Sequence, residues 1–554
     1  MASANPSSQP SIEETREHTP LINGPEQARI VHYDDNQLPP LYDDEDDDDD
    51  HRDQPQPDQP QATRRQNTTK VGAFLHLIKG NIGTGILAMP IAISNFGLVA
   101  SVIGILVLGS CSGYCMWLLV YSSKIAIGLH ISLNAVEKKR RDAQEDRRRR
   151  TENRSAYNAP SPIDLRRFEC STGENQNQAA EDQNVPCNVR RIKITFDYAE
   201  TAFEAFKYGP QRYTCLARPM RFIVNLLLIL TQFGFCCAYY LFVGQSIHEV
   251  SVHMQVFTGH TAVTVMAALL PLIMLLNFIP DLEKLALVSS AAVLIQAIGL
   301  VLMISFFVRG PLSDTYITYI APYQKWPLFF GTAMFSFEGI GVVLPVENQM
   351  KKKRSFIYIL TGAMTAVTVL YIVFGSLGYV KYGSDVEPSI TFNLPIGGFS
   401  EAIRLMFALA ILFSYPLQMH VPFTFILPFL KKKIFYRHWN KMLDIIVDLV
   451  LRMILVSITF GIAVWCGSML DTLISFVGSL ASSLLALVLP PLIHWATIDK
   501  YDIKYKKLWI GIDISLALLG LSGMGVGVYT SIWEMAHKNI TEEVALFHSY
   551  VHYH

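Results

Sequence analysis

Residues 76–90 read His76-Leu-Ile-Lys79-Gly80-Asn81-Ile82-Gly83-Thr84-Gly85-Ile86-Leu87-Ala88-Met89-Pro90. The stretch is apolar enough for a membrane, yet its glycines crowd between Gly80 and Gly85 and a proline follows. Each glycine costs about 1 kcal/mol relative to alanine in a helix interior. The spacing therefore predicts a helix that breaks at Gly80–Gly85. Unwound backbone at membrane depth is tolerated only where it lines a cavity or is buried in protein, so the break marks a candidate site.

A second stretch repeats the pattern. Phe335-Ser336-Phe337-Glu338-Gly339-Ile340-Gly341 precedes Pro345 and places an acid in mid-span. Gly80–Gly85 offers amide N–H groups at the start of a half-helix, a natural seat for a carboxylate. Ser336–Gly341 offers carbonyl oxygens that can accept from an ammonium group. A zwitterionic amino acid needs both a few ångströms apart. Glycine packing faces are the plainer alternative for either segment alone. The two segments in register, with Glu338 included, favour a site.

Composition places both stretches in a membrane protein. Of 554 residues, 51% are hydrophobic and 17% charged, with a mean hydropathy of +0.27. A soluble domain carries about a quarter charged residues. A bilayer core of roughly 30 Å takes about 20 apolar residues in helix. Such runs occur at approximately 71–95, 98–122, 220–245, 261–279, 284–308, 326–346, 356–380, 401–430, 446–466, 472–496 and 508–534. The expected fold is an all-α polytopic membrane protein of about eleven transmembrane helices. Its two breaks lie five spans apart, as an inverted repeat of five plus five helices with discontinuous helices one and six would place them.

The loops orient these spans. Lys138-Lys139-Arg140-Arg141, Arg147 to Arg150, Lys351-Lys352-Lys353-Arg354, Lys431-Lys432-Lys433, and Lys504, Lys506 and Lys507 all fall on one face of such a chain. The positive-inside rule makes that face cytosolic. The N-terminus is then cytosolic and the C-terminus luminal or extracellular.

The expected organisation follows. Residues 1–69 form a disordered acidic cytosolic tail, with sixteen acids against five arginines and too little apolar sequence to fold. Residues 70–123 hold helices one and two, and 124–192 a polar and basic cytosolic insertion. Residues 193–535 hold helices three to eleven, and 536–554 a luminal tail. The tail lacks the apolar core of a secretory signal. Of three glycosylation sequons, only Asn539-Ile-Thr541 falls on the luminal side. The eight cysteines read as buried or reduced thiols rather than a disulfide framework.

Ionisable residues inside spans are costly and therefore functional candidates. His76 lies one turn before the first break. Histidine's ordinary pKa of about 6.5 suits proton exchange at mildly acidic pH, although a lone membrane histidine is more often a neutral hydrogen-bonding group. Asp448 and Arg452, spaced i and i+4, read as a local salt bridge. Asp513, near the cytosolic end of the last span, reads as interfacial. No HExxH, GxSxG, Walker loop or CxxC is present, so the chain is expected not to be an enzyme. Neither a metal site nor a nucleic-acid surface is visible.

The sequence resembles the proton-coupled amino acid transporters of the amino acid/auxin permease family. His76 to Pro90 looks like that family's first-helix signature. Gln232-Phe-Gly-Phe-Cys-Cys-Ala-Tyr239 resembles its third, and Phe329 to Asn348 its sixth. Ser389-Ile-Thr-Phe-Asn-Leu-Pro395 and Phe413-Ser-Tyr-Pro-Leu-Gln418 extend the likeness over roughly 70–125 and 195–535. The resemblance implies the LeuT-like arrangement and symport of a proton with small neutral amino acids such as glycine, alanine and proline. No cofactor beyond the coupling H+ is implied. It also implies substrate contacts from Asn81, Ile82, Gly83, Thr84, Gly85, Phe235, Phe337, Glu338, Gly339 and Tyr415, with proton coupling by His76.

Glu17-His-Thr-Pro-Leu21-Ile22 fits an acidic dileucine sorting pattern, which favours a lysosomal or endosomal membrane over the plasma membrane. Cytosolic sorting or signalling adaptors are the expected partners of that tail, beside the amino acid, protons and the lipid bilayer. An amino acid sensor and a sodium-coupled transporter are the alternatives.

Overall fold

In the computed structural model the described residues are 68–157, 195–255, 259, 261–279, 282–309, 316–434, 441–499, 501 and 504–552. Among them the chain is helical, apart from an isolated parallel bridge between Thr68 and Met350. Glu17, Leu21 and Ile22 lie outside the described residues. Asn539 falls in the last helix, and its side chain is also outside them.

Among the described residues fifteen α-helices build the bundle. They are α1 (Lys70–Asn81), α2 (Met89–Phe96), α3 (Leu98–Tyr157), α4 (Tyr198–Tyr208), α5 (Ala217–His253), α6 (Ala262–Asn277), α7 (Leu282–Val308), α8 (Trp326–Ser336), α9 (Ile340–Gln349), α10 (Phe356–Tyr382), α11 (Gly398–Ile434), α12 (Lys441–Cys466), α13 (Leu470–Val477), α14 (Leu489–Ile498) and α15 (Lys506–His552). Nine helical stretches among the described residues are long and apolar enough to cross a membrane. The pair α1 and α2, bent by 52°, makes a tenth, and the sixteen-residue α6 is shorter but apolar. The chain is an all-α polytopic membrane protein.

Both expected breaks are present. α1 stops at Asn81, the chain turns through Ile82 and Gly83, and a 3-10 turn at Thr84–Ala88 leads into α2. Pro90 sits in the first turn of α2, where its missing N–H costs nothing. The second interruption, Phe337–Gly339, separates α8 from α9. A third irregularity was not read from sequence. Between α13 and α14 the backbone adopts π-helical turns at Gly478–Ser482 and Leu484–Val488. These run into Pro490 and Pro491, which lack the N–H of a regular ladder.

Close packing surrounds the breaks. Gly331 of α8 and Gly478 meet backbone to backbone, so that a Cβ on Gly331 would strike Ser475 and Ser479. α11 packs along α5 and α7. The loop at Ser389–Leu394 folds over the first broken span, with Ile390 N donating to Leu87 O at 3.0 Å. Buried Arg404 holds that loop, donating to Thr391 O at 3.0 Å and Leu394 O at 2.5 Å.

At the opposite end, Lys124 of α3 pairs with Glu347 of α9 at 3.1 Å, and Thr68 N donates to Gln349 O at 3.0 Å. α3 continues past the membrane run to Tyr157, so the basic first part of the expected insertion is helical. Arg452 does meet Asp448, at 3.4 Å, and also reaches Asn277 O at 2.5 Å. Asp513, expected at an interface, is instead 2% exposed, because His494 of α14 receives it inside the bundle. The described cysteines Cys111, Cys115, Cys215, Cys236, Cys237 and Cys466 are free thiols.

Candidate functional site

The two breaks face each other across a small cavity. Lys79, Gly80, Asn81, Ile82, Gly83 and Gly85 line it from the first broken span, and Phe335, Ser336 and Glu338 from the second. Phe235 and Tyr239 of α5 and Gln418 of α11 complete the wall. The free volume is about 30 Å³, roughly the share of a single water in the liquid. An amino acid is larger, so a wall must move to admit one.

The backbone supplies opposite groups to the two sides. Ile82 N closes the last turn of α1 on Ile78 O at 3.0 Å. Beyond it, Gly83 and Thr84 N–H take no part in backbone hydrogen bonds among the described residues. They are the orphan donors that every helix start leaves. Across the cavity α8 ends in carbonyls that lack the next turn's donors, with Phe337 N closing on Ala333 O at 2.9 Å. Glu338, 4% exposed, accepts from Ser482 Oγ at 3.2 Å, and that serine belongs to the first π-helical turn.

Glycine is required here by proximity. A Cβ on Gly83 would sit 3.0 Å from Tyr239 Oη, and a Cβ on Gly85 would strike Ser336. Gln296 of α7 donates to Gly83 O at 3.1 Å and fixes the turn.

Of the expected contact residues, Asn81, Ile82, Gly83, Gly85, Phe235 and Glu338 line the cavity. The others stand behind its wall. Thr84 is buried with its hydroxyl unpartnered among the described residues. Phe337 turns to α3, where Ser112 Oγ donates to its carbonyl at 3.3 Å. Gly339 packs on the Asn81 side chain. Tyr415 points to α12, its hydroxyl 2.7 Å from Thr459 Oγ1. His76 is exposed on α1, with no hydrogen bond or ion pair among the described residues, while Lys79, three positions on, reaches the cavity.

Tyr371 of α10 was missed by the sequence reading. Its buried hydroxyl lies 2.5 Å from Asn81 O and 2.8 Å from Ser336 O, so one O–H bridges the carbonyls of both breaks. The available signal was a tyrosine inside an apolar span, whose hydroxyl must find a partner when buried. Tyr371→Phe leaves a carbonyl unsatisfied, at a cost of about 1–3 kcal/mol. The expected result is a lower melting temperature in detergent together with slower transport. An unchanged melting temperature would show that the bridge does not hold the breaks together.

Residues 66–131 and 189–533 match the family described as transmembrane amino acid transporter protein. The chain belongs to that family. It is an amino acid transporter of the amino acid/auxin permease group, integral to the membrane, and not an enzyme. The proton-coupled amino acid transporter-like protein pathetic of Drosophila melanogaster is similar to it. That protein is 28% identical over 466 residues, which cover 82% of this chain and 83% of the fly protein. Vacuolar amino acid transporter 4 of Saccharomyces cerevisiae is 29% identical over 343 residues, 57% of this chain and 48% of the yeast protein. The family match takes in both broken spans and leaves out most of the acidic tail and of the segment after α3.

Proposed function

We propose that this transporter carries small neutral amino acids together with a proton, through eleven passes arranged as a five-plus-five inverted repeat. The carrying observation is the cavity between the two breaks, with the Gly83 and Thr84 N–H groups outside any backbone hydrogen bond among the described residues on one side and helix-terminal carbonyls with Glu338 on the other. That pairing matches an α-carboxylate and an α-ammonium. Gly83 to Gly85 hold the carboxylate, and Glu338 with the end of α8 holds the amine. Phe235, Tyr239 and Phe335 leave little room for a side chain, which favours glycine, alanine and proline.

His76, on the exposed face of α1, is the proposed proton-coupling residue, and H+ is the coupling ion. The basic ends of the spans face the cytosol, the C-terminus faces the lumen, and Asn539 is the glycosylated sequon. The membrane is lysosomal or endosomal, addressed by Glu17, Leu21 and Ile22 through cytosolic adaptors. The fly relative is named as proton-coupled transporter-like and the yeast relative as vacuolar, which agrees with this reading.

Uptake of radiolabelled glycine, alanine or proline, in cells displaying the protein at the surface, is expected to rise as external pH falls. His76→Ala is expected to remove the pH-driven component and leave the protein at the membrane. Sodium-dependent uptake indifferent to pH would replace the proton with sodium. An expressed His76→Ala protein with unchanged pH response would move the coupling role elsewhere.

A further inference from the structure

We infer that the buried pair His494–Asp513 is a second proton-carrying group of this transporter. The inference rests on the proton-symport reading above.

The pair is assembled across two helices. His494 lies in the second half of α14, beyond Pro490 and Pro491, and Asp513 two turns into α15. Nδ1 of His494 is 2.8 Å from Oδ2 of Asp513, and the side chains are only 3% and 1% exposed. Oδ1 of Asp513 has no hydrogen-bond partner among the described residues. The surroundings supply aromatic edges rather than charge. From α3, Tyr121 meets the imidazole with ring centroids 5.6 Å apart, and Trp509 of α15 meets it at 6.1 Å. Among the described residues, Tyr114 and Cys115 of α3 also lie near Asp513. From α4, Tyr198 donates to Leu485 O at 2.7 Å. Arg212 and Lys506 pair with Asp499, and Lys124 with Glu347, rather than with this carboxylate.

Charge counting then assigns the pair its role. With one proton between them the two side chains are neutral overall. With none they carry −1, and with two they carry +1. A net charge enclosed in the bundle away from water costs several kcal/mol. The enclosure therefore favours the neutral pair, the arrangement in which the two side chains share one proton. A coupled carrier needs such a group.

A mechanical link to the substrate site is also present. The span that carries His494 also carries Ser482, the hydrogen-bond donor to Glu338. The π-helical turn at Leu484–Val488 lies between them, a backbone form that recurs at functional sites. A change at Glu338 can thus be felt at His494 through one helix.

The test uses the full-length protein in proteoliposomes. Substrate exchange without a pH gradient and uptake driven by an acid exterior are measured on the same preparation. The Asp513→Asn protein is expected to lose the acceleration by external acid, so the ratio of driven uptake to exchange falls to its gradient-free value. Asp513→Glu, which keeps the titrating group, is expected to restore that ratio. Should Asn at 513 prevent assembly, His494→Gln carries the test, since its amide still donates to Asp513 but binds no proton. A wild-type ratio in Asp513→Asn or His494→Gln overturns the inference. So does a parallel fall of both fluxes at constant ratio, which marks a structural pair. Wild-type protein that exchanges substrate but ignores pH defeats the symport reading itself, a result that needs no variant.

Discussion

Gly85→Ala is expected to abolish most transport while the protein still reaches the membrane, in radiolabelled uptake normalised to surface protein. Gly85 lies in the 3-10 turn Thr84–Ala88 that opens the second half of the first broken span. The added methyl would overlap the Ser336 hydroxyl and lie 2.9 Å from Ser336 Cβ and 3.0 Å from its Cα. A rotamer change can move the hydroxyl but not the Cα, so the two broken spans must separate. Overpacking of this kind costs about 1–3 kcal/mol, and each 1.4 kcal/mol is about tenfold in an equilibrium constant. The cost falls on the form in which the spans close on the substrate. Gly461→Ala and Gly525→Ala serve as controls, because a Cβ at either position meets nothing within 4 Å. Both are expected to transport normally and to be slightly more stable, by about 0.5–1 kcal/mol. Wild-type uptake by Gly85→Ala would mean that the breaks do not approach each other during transport.

The position of that glycine was legible in the sequence because hydropathy and helix breaking are local properties. Glycines at Gly80, Gly83 and Gly85 within an apolar run can be read without knowing what faces them, and the break at Ile82–Gly83 falls between them. The same holds for Phe337–Gly339. What faces a break depends on contacts distant in the chain. Tyr371 bridges Asn81 and Ser336 from 290 and 35 positions away, and no periodicity announces that. Gln418 lines the cavity while Tyr415, three positions earlier, points to Thr459. A helical rotation of that size cannot be set from composition. Asp513 shows the opposite failure. Its distance along the span suggested an interface, but its partner His494 belongs to another helix, and together they are buried.

Glu338→Gln is expected to lower kcat/KM for alanine more than tenfold at every pH, with surface expression unchanged. The amide has nearly the volume of the acid and still offers Ser482 an acceptor in place of the contact seen at 3.2 Å, so packing against the π-helical turn is kept. An acid able to ionise against a substrate ammonium is replaced by an amide that cannot, and the ammonium loses its charged partner. A hydrogen bond to a charged group contributes about 1.5–3 kcal/mol, which corresponds to roughly 10-fold to 150-fold in rate or affinity. Competition separates this role from a general weakening of the site. Propionate carries the carboxylate of alanine without its amine, so the wild-type protein should prefer alanine strongly and Glu338→Gln should not. A variant that loses surface protein, or keeps the full preference for alanine, would make Glu338 a structural acid. The pH profile separates it from His76 as well. Loss of the amine's partner depresses uptake across the whole range, whereas loss of the proton handle removes only the rise towards acid. Two polar residues of the broken spans thereby give distinguishable phenotypes, and each defect tests its own part of the symport reading.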